Sequence, residues 1–159
     1  MDATNAVAAN ATREIIAWLT NRAETIRVEN VEADPRYQKM DVDLIWVTRE
    51  GARQIEIKAD RYHRTGNFFF ETASNRERNT PGCFLYTQAD WLFYYFVAPR
   101  TLYILPVRET REWFLQNCDR FQERATTTPV GDARYTTVGK LVPIAEVLRV
   151  VARIRVEQI

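Results

Sequence analysis

Residues 41–58 constrain this chain more than any other stretch. They read Asp41-Val-Asp43-Leu-Ile-Trp-Val-Thr48, then Arg49-Glu50-Gly51, then Ala-Arg-Gln-Ile-Glu56-Ile-Lys58. Two apolar-rich runs flank a polar turn that contains glycine, which is the pattern of a β-hairpin. Side chains alternate across a strand, so Glu56 and Lys58 share one face and Ile55 and Ile57 the other. Asp41 and Asp43 share a face of the preceding strand, about 42–48. Pairing the two strands brings a carboxylate from each, and one ammonium, to the same place. Oxygen donors of this kind suit a hard divalent cation such as Mg²⁺. A lysine beside them can orient a water or stabilise charge building on a phosphate.

The rest of the chain supplies further strands and helices. Apolar Val7, Ala11, Ile15, Trp18 and Leu19 form one stripe of a helix over 3–20, with Asp2, Thr4 or Asn5 as its cap. A strand follows over 25–30, and Asp34-Pro35 marks a turn. Residues 67–71 read as a core strand ending in Glu71. Residues 72–82 read as a mobile polar loop. Thr87 is placed to cap a nearly all-apolar helix over 88–97, with strand character left open near 93–97. A strand over 101–107, a helix over 108–120, a loop over 122–134, a short extended segment over 135–142 and a short helix over 143–148 follow. The tail from 148 fits a strand or a helix.

With Asp43, Glu56 thirteen positions on (43 to 56), Ile57 and Lys58, the chain resembles the PD-(D/E)xK nuclease superfamily, specifically its resolvase-like and phage-type small endonucleases. Residues 65–71 and 87–95 are similar to the strand and helix that follow the signature in phage-type members. The resemblance covers about residues 14–107; the proline before the aspartate is absent. It implies an α/β fold with a restriction-endonuclease-like core: a central mixed sheet of four or five strands flanked by helices. It also implies a Mg²⁺-dependent endonuclease acting on DNA, with Mn²⁺ able to substitute. Asp43 and Glu56 would hold the ion with the Ile57 carbonyl, and Lys58 would serve the attacking water or the phosphate charge. Asp41 is the reserve for Asp43. Glu14 would reach the metal as a first-helix glutamate, or else sit solvated on its helix. Glu71 and His63 are accessory candidates. Arg61, Arg64, Arg76 and Arg78, close in sequence to the site, would contact phosphates. A catalytically silent nucleic-acid-binding or assembly module on the same scaffold is the alternative, a small-molecule hydrolase a weaker one, and a homodimer fits either.

Composition narrows these readings. At 159 residues one domain spanning 1–159 is expected. The net charge of +1 means that any nucleic-acid surface must be local. Nineteen of the 22 basic residues are arginine, the side chain suited to bidentate phosphate contacts. Cys83 and Cys118 have no CxxC spacing and read as free thiols of a reducing compartment. A single histidine, His63, excludes a multi-histidine zinc site. The chain shows neither a signal pattern nor an apolar run of membrane-spanning length, so the cytoplasm is its expected location.

Overall fold

The structure, a computed structural model, describes residues 3–130 and 133–159, with side chains described for 6–127 and 134–159. The caps expected at Asp2, Thr4 or Asn5, and residues 131–132 of the expected loop, lie outside these. In chain order the elements are α1 (Ala3–Thr20), β1 (Thr25–Asn30), α2 (Pro35–Gln38), β2 (Leu44–Thr48), β3 (Gly51–Asp60), β4 (Asn67–Asn75) and β5 (Thr80–Pro81). Then come α3 (Cys83–Tyr86), β6 (Trp91–Phe96), β7 (Thr101–Pro106), α4 (Val107–Asn117), β8 (Gln122–Val130), β9 (Ala133–Pro143), α5 (Ile144–Val150) and β10 (Arg155–Gln158). The fold is α/β, with a mixed sheet of six strands and a separate sheet of four. The chain divides into two compact units: residues 1–64, 88–107 and 153–159 form the first, 65–87 and 108–152 the second.

In the first unit the sheet order is β1-β2-β3-β6-β7-β10, with six strands rather than four or five. The β2–β3 hairpin forms as expected, Leu44 opposite Ile55 and Trp46 opposite Arg53. Gly51 enters β3 at φ 123°, a conformation that a β-carbon disfavours. β3 and β6 run parallel, the one parallel pair of this sheet, and all its other neighbours are antiparallel. Helix α1 packs Ala11, Ile15 and Leu19 on one face of the sheet, against Leu44, Trp46, Ile55, Phe93, Tyr95, Leu102 and Ile104. Full burial of an Ile or Leu side chain contributes about 1.5–3 kcal/mol, so this stripe fixes which face α1 covers. Ile55 and Ile57 lie on the α1 side, which turns Glu56, Lys58 and Asp60 to the opposite face.

Strand β6 corrects the helix expected over 88–97. Leu92 to Phe96 are all buried because β6 is a central strand between β3 and β7. Five apolar residues in a row, buried on both faces, carry no period that separates strand from helix; short length and aromatic content decide for the strand. Thr87 caps nothing there: it follows α3, and its carbonyl accepts the Arg111 guanidinium at 2.5 Å. The ambiguous tail from 148 is part helix and part strand: α5 runs on to Val150, and β10 pairs with β7.

The second unit holds the sheet β5-β4-β9-β8, antiparallel throughout. Its centre is aromatic: Phe70 stacks on Phe84 with ring centroids 4.1 Å apart, and Phe114 meets both edge-on. The loops expected over 72–82 and 122–134 are largely strand. β4 runs on to Asn75 and β5 folds back on it, while Glu77 accepts the Thr136 N–H at 2.9 Å and its hydroxyl at 2.6 Å. Thr126 and Thr127 look loop-like by polarity, but β-branched threonine suits an exposed strand paired on one side, here β8 on β9.

Gly82 leaves no room for a side chain. A β-carbon there would lie 2.2 Å from the Glu71 carbonyl oxygen and 2.3 Å from its carbon. Backbone cannot yield cheaply, so Gly82→Ala is expected to destabilise the protein by about 1–3 kcal/mol or more. Urea unfolding followed by circular dichroism measures this; an unchanged midpoint would mean that the 71–82 contact is looser than described. No helix among the described residues is long and apolar enough to cross a membrane.

Candidate metal centre beside the β2–β3 hairpin

Asp43 stands immediately before β2, and its main chain is held on both sides. Its N–H donates to the Ile55 carbonyl at 2.9 Å, and its own carbonyl accepts the Val31 N–H at 2.8 Å. The ladder between β2 and β3 ends at Leu44 and Ile55, but β3 runs on to Asp60. The edge of β3 beyond Ile55 therefore has backbone groups that β2 does not reach. The Asp43 carboxylate takes one of them, accepting the Ile57 N–H at 2.8 Å. A residue's N–H and C=O leave a strand on the same edge. The Ile57 carbonyl accordingly faces the edge where Asp43 sits.

Glu56 projects beside this edge, on the face away from α1. It is 8 % exposed, and its Oε2 is buried with no hydrogen-bond partner. Its carboxyl is hydrogen-bonded to that of Asp43. Two such groups in contact cannot both ionise in a dry setting, so one holds a proton. Burial first, and then the charges of Asp43 and Asp41, raise the Glu56 pKa well above the usual carboxylate range; the Lys58 ammonium pulls the other way. Asp43 is pushed up to about 6, mainly by burial, against the lowering effect of the Ile57 N–H.

Asp41 joins them from a turn rather than from the strand. An Asp41 carboxylate oxygen lies within 4.8 Å of one of Glu56. Its backbone sits at φ 54°, in the left-handed region that aspartate tolerates better than most residues. The turn is closed by the Asp41 N–H to the Gln38 carbonyl and the Val42 N–H to that of Tyr37, each 3.2 Å. Glu32 is a fourth acidic group whose charge raises Asp43. It accepts the Thr12 hydroxyl of α1 at 2.8 Å and so ties the helix to this corner. Sequence reading did not single out Glu32. Strand register was the available signal, since Asn30 pairs with Leu44 and carries the chain past Asp43.

The remaining candidates lie on other elements. Glu14 stays on the α1 side of the sheet, where it accepts the Tyr95 hydroxyl and pairs with Arg100 at 3.5 Å. The Tyr95 pKa rises to about 12, from burial and then from that carboxylate. The structure does not bring Glu14 to Glu56. Asp60, two residues beyond Lys58 on its face, accepts the Tyr94 hydroxyl and the Tyr62 N–H at 2.7 Å, which anchors the loop after β3. In that loop Arg61 and Arg64 are exposed, and His63 opens a 3-10 turn, His63–Thr65, with Nδ1 buried and unpartnered. Arg76 and Arg78 belong to the second unit, as does half-buried Glu71 on β4, opposite Gly139. Arg76 pairs with Glu123 at 3.2 Å.

The three carboxylates Asp41, Asp43 and Glu56, with the Ile57 carbonyl edge, offer hard oxygen donors to a divalent cation. With all three ionised and Lys58 charged, the group carries two net negative charges, which such an ion would neutralise. Comparison of the chain with protein-family models, with curated proteins and with solved structures finds no match.

Proposed function

We propose that the chain is a divalent-metal-dependent endonuclease that hydrolyses phosphodiester bonds of DNA, with a restriction-endonuclease-like core in its first unit. The observation that carries this reading is the buried, unpartnered Glu56 Oε2, set among two aspartates and a lysine on one strand edge. A buried polar atom without a partner costs about 1–3 kcal/mol. Coordination to a cation offsets that cost and displaces the shared proton. Asp43, Glu56 and the Ile57 carbonyl would hold Mg²⁺ or Mn²⁺, with Asp41 beside them. When bound, such an ion polarises a phosphoryl oxygen and lowers the pKa of a water.

The chain's own residues supply the rest. The Ile57 N–H fixes one oxygen of the Asp43 carboxylate, and the carboxylate would turn its other oxygen to an ion. Asp60 holds the loop that carries Arg61 and Arg64, exposed cations that suit backbone phosphates. Lys58 adds a fixed positive charge beside Glu56, where an attacking water and a developing phosphate charge need one. No nucleophilic side chain is required.

Supercoiled, linear, branched and single-stranded DNA, each incubated with Mg²⁺, Mn²⁺ or EDTA, test the proposal. Cleavage of at least one form with metal, and none in EDTA, is expected. Metal binding with no cleavage of any form would leave the silent module as the better reading.

A further inference from the structure

A second feature of the first unit lies on the other face of the sheet, beyond the end of α1. There a groove of about 1000 Å³ opens at the hairpin end of β2 and β3, lined by Trp46, Arg49, Arg53, Trp91, Arg153 and Arg155. Trp46 faces Arg53 across the β2–β3 ladder, and Trp91 lies beside Ile55 on the next strand. The guanidinium groups of Arg153 and Arg155 stand 5.7 and 6.0 Å from the Trp91 ring centre. A guanidinium over an aromatic ring is attracted by the ring and keeps N–H donors for an acceptor such as phosphate.

The charge of the groove is one-sided. Two carboxylates, Glu24 and Glu50, face four arginines. Glu24 is committed to Arg22, which sits 2.6 Å away and holds its pKa below the ordinary value. Arg49, Arg53 and Arg155 join no ion pair among the described residues. An anion is therefore the complementary occupant. Half-buried Trp91 adds a flat aromatic surface, on which an unpaired base packs and a duplex, its bases already stacked, gains nothing.

We propose that this groove binds a short single-stranded nucleic-acid segment, its phosphates on Arg49, Arg53, Arg153 and Arg155 and a base against the Trp91 surface. It is a separate contact from the carboxylate centre, because Arg53 and Glu56 project from opposite faces of β3. Under the nuclease reading, it would select DNA that carries a single-stranded branch or tail. The assignment extends that reading, but its test needs no cleavage.

The test is fluorescence anisotropy of a labelled oligothymidylate in EDTA, with wild type and Arg53→Ala/Arg155→Ala. Both arginines are exposed, so the double variant is expected to fold, which circular dichroism checks. Wild type should bind, with the double variant at least about tenfold weaker. Its log–log salt slope should be smaller by about 1.4, at about 0.7 per single-strand phosphate contact. An abasic strand of the same length should bind at least about fivefold more weakly, reflecting a lost base stack. Equal affinity for the abasic strand, tighter binding of a blunt duplex, or an unchanged double variant would overturn the proposal. Single-strand binding by a protein that cuts nothing would leave the groove standing and refute only the nuclease reading.

Discussion

Lys58→Ala is expected to keep divalent-metal binding and lose DNA cleavage. A lysine ammonium cannot ligate a cation, so its removal leaves Asp41, Asp43 and Glu56 in place. Its charge is the one that lowers the Glu56 pKa. Without it Glu56 holds its proton more firmly, which weakens metal binding at low pH, while loss of like-charge repulsion strengthens it at high pH. The two effects oppose each other. Cleavage has no such compensation, because the positive charge beside the water and the phosphate is gone. Loss of one such contact costs about 2.7–4 kcal/mol of barrier, or roughly a hundredfold to a thousandfold in rate. Lys58→Arg should recover little, since a planar fork is a poor substitute for a compact ammonium. Single-turnover cleavage beside Mn²⁺ affinity makes the measurement. Wild-type cleavage by Lys58→Ala would remove the lysine from the chemistry.

Glu56→Gln is expected to act in opposite directions on metal binding and on stability. In the metal-free protein the Asp43 carboxyl keeps its proton up to about pH 6, against 3.8 in an unfolded chain. The folded state thus binds that proton more tightly. The stability it contributes is fully present below about pH 4 and is lost as pH rises through 6. Glu56, also raised, contributes in the same direction. Wild type without metal should therefore unfold at a higher temperature at pH 5.5 than at pH 8. Glutamine cannot ionise, and its amide can donate to Asp43. The variant should be more stable than wild type at pH 8, by several degrees at about 2–4 °C per kcal/mol for a chain of this size, with a flatter pH dependence. Saturating Mn²⁺ should reverse the order, since an ion at a hundred times its dissociation constant adds about 2.7 kcal/mol to a protein that binds it. Thermal unfolding at two pH values, with Mn²⁺ and with EDTA, reads all of this. A variant less stable than wild type in EDTA at pH 8 would mean that the ionised glutamate is already satisfied by the fold.

The hairpin was legible because two signals agreed there. Alternation set the faces of Glu56 and Lys58, and a polar turn with Gly51 set the pairing. The Asp43–Glu56 proximity followed from it. Helix α1 was equally clear, since one stripe at helical spacing meets one face of a sheet. β6 was misread because burial on both faces erases the periodicity that separates strand from helix. β8 was misread because exposed threonines look like a loop until β9 is present to pair with them. Asp41 came to the centre by another route than expected: alternation put it on a strand, but a left-handed turn carries it. Glu14 illustrates the opposite failure. Its helix was right, but which face of the sheet that helix would cover cannot be read from helical spacing. Closeness in sequence grouped four arginines, of which the fold assigns Arg61 and Arg64 to the first unit and Arg76 and Arg78 to the second.

Calorimetric titration of Mn²⁺ into wild type and into Glu56→Gln at pH 8 bears most directly on the carboxylate centre. Wild type should bind one site and release protons, because the ion displaces the one shared by Asp43 and Glu56. Proton release shows as a binding heat that varies with the ionisation enthalpy of the buffer. Glu56→Gln should bind at least about a hundredfold more weakly, a lost ligand costing no less than a lost outer partner. Equal binding by both proteins, or none by either, would contradict the assignment of this centre as a metal site and the nuclease reading built on it.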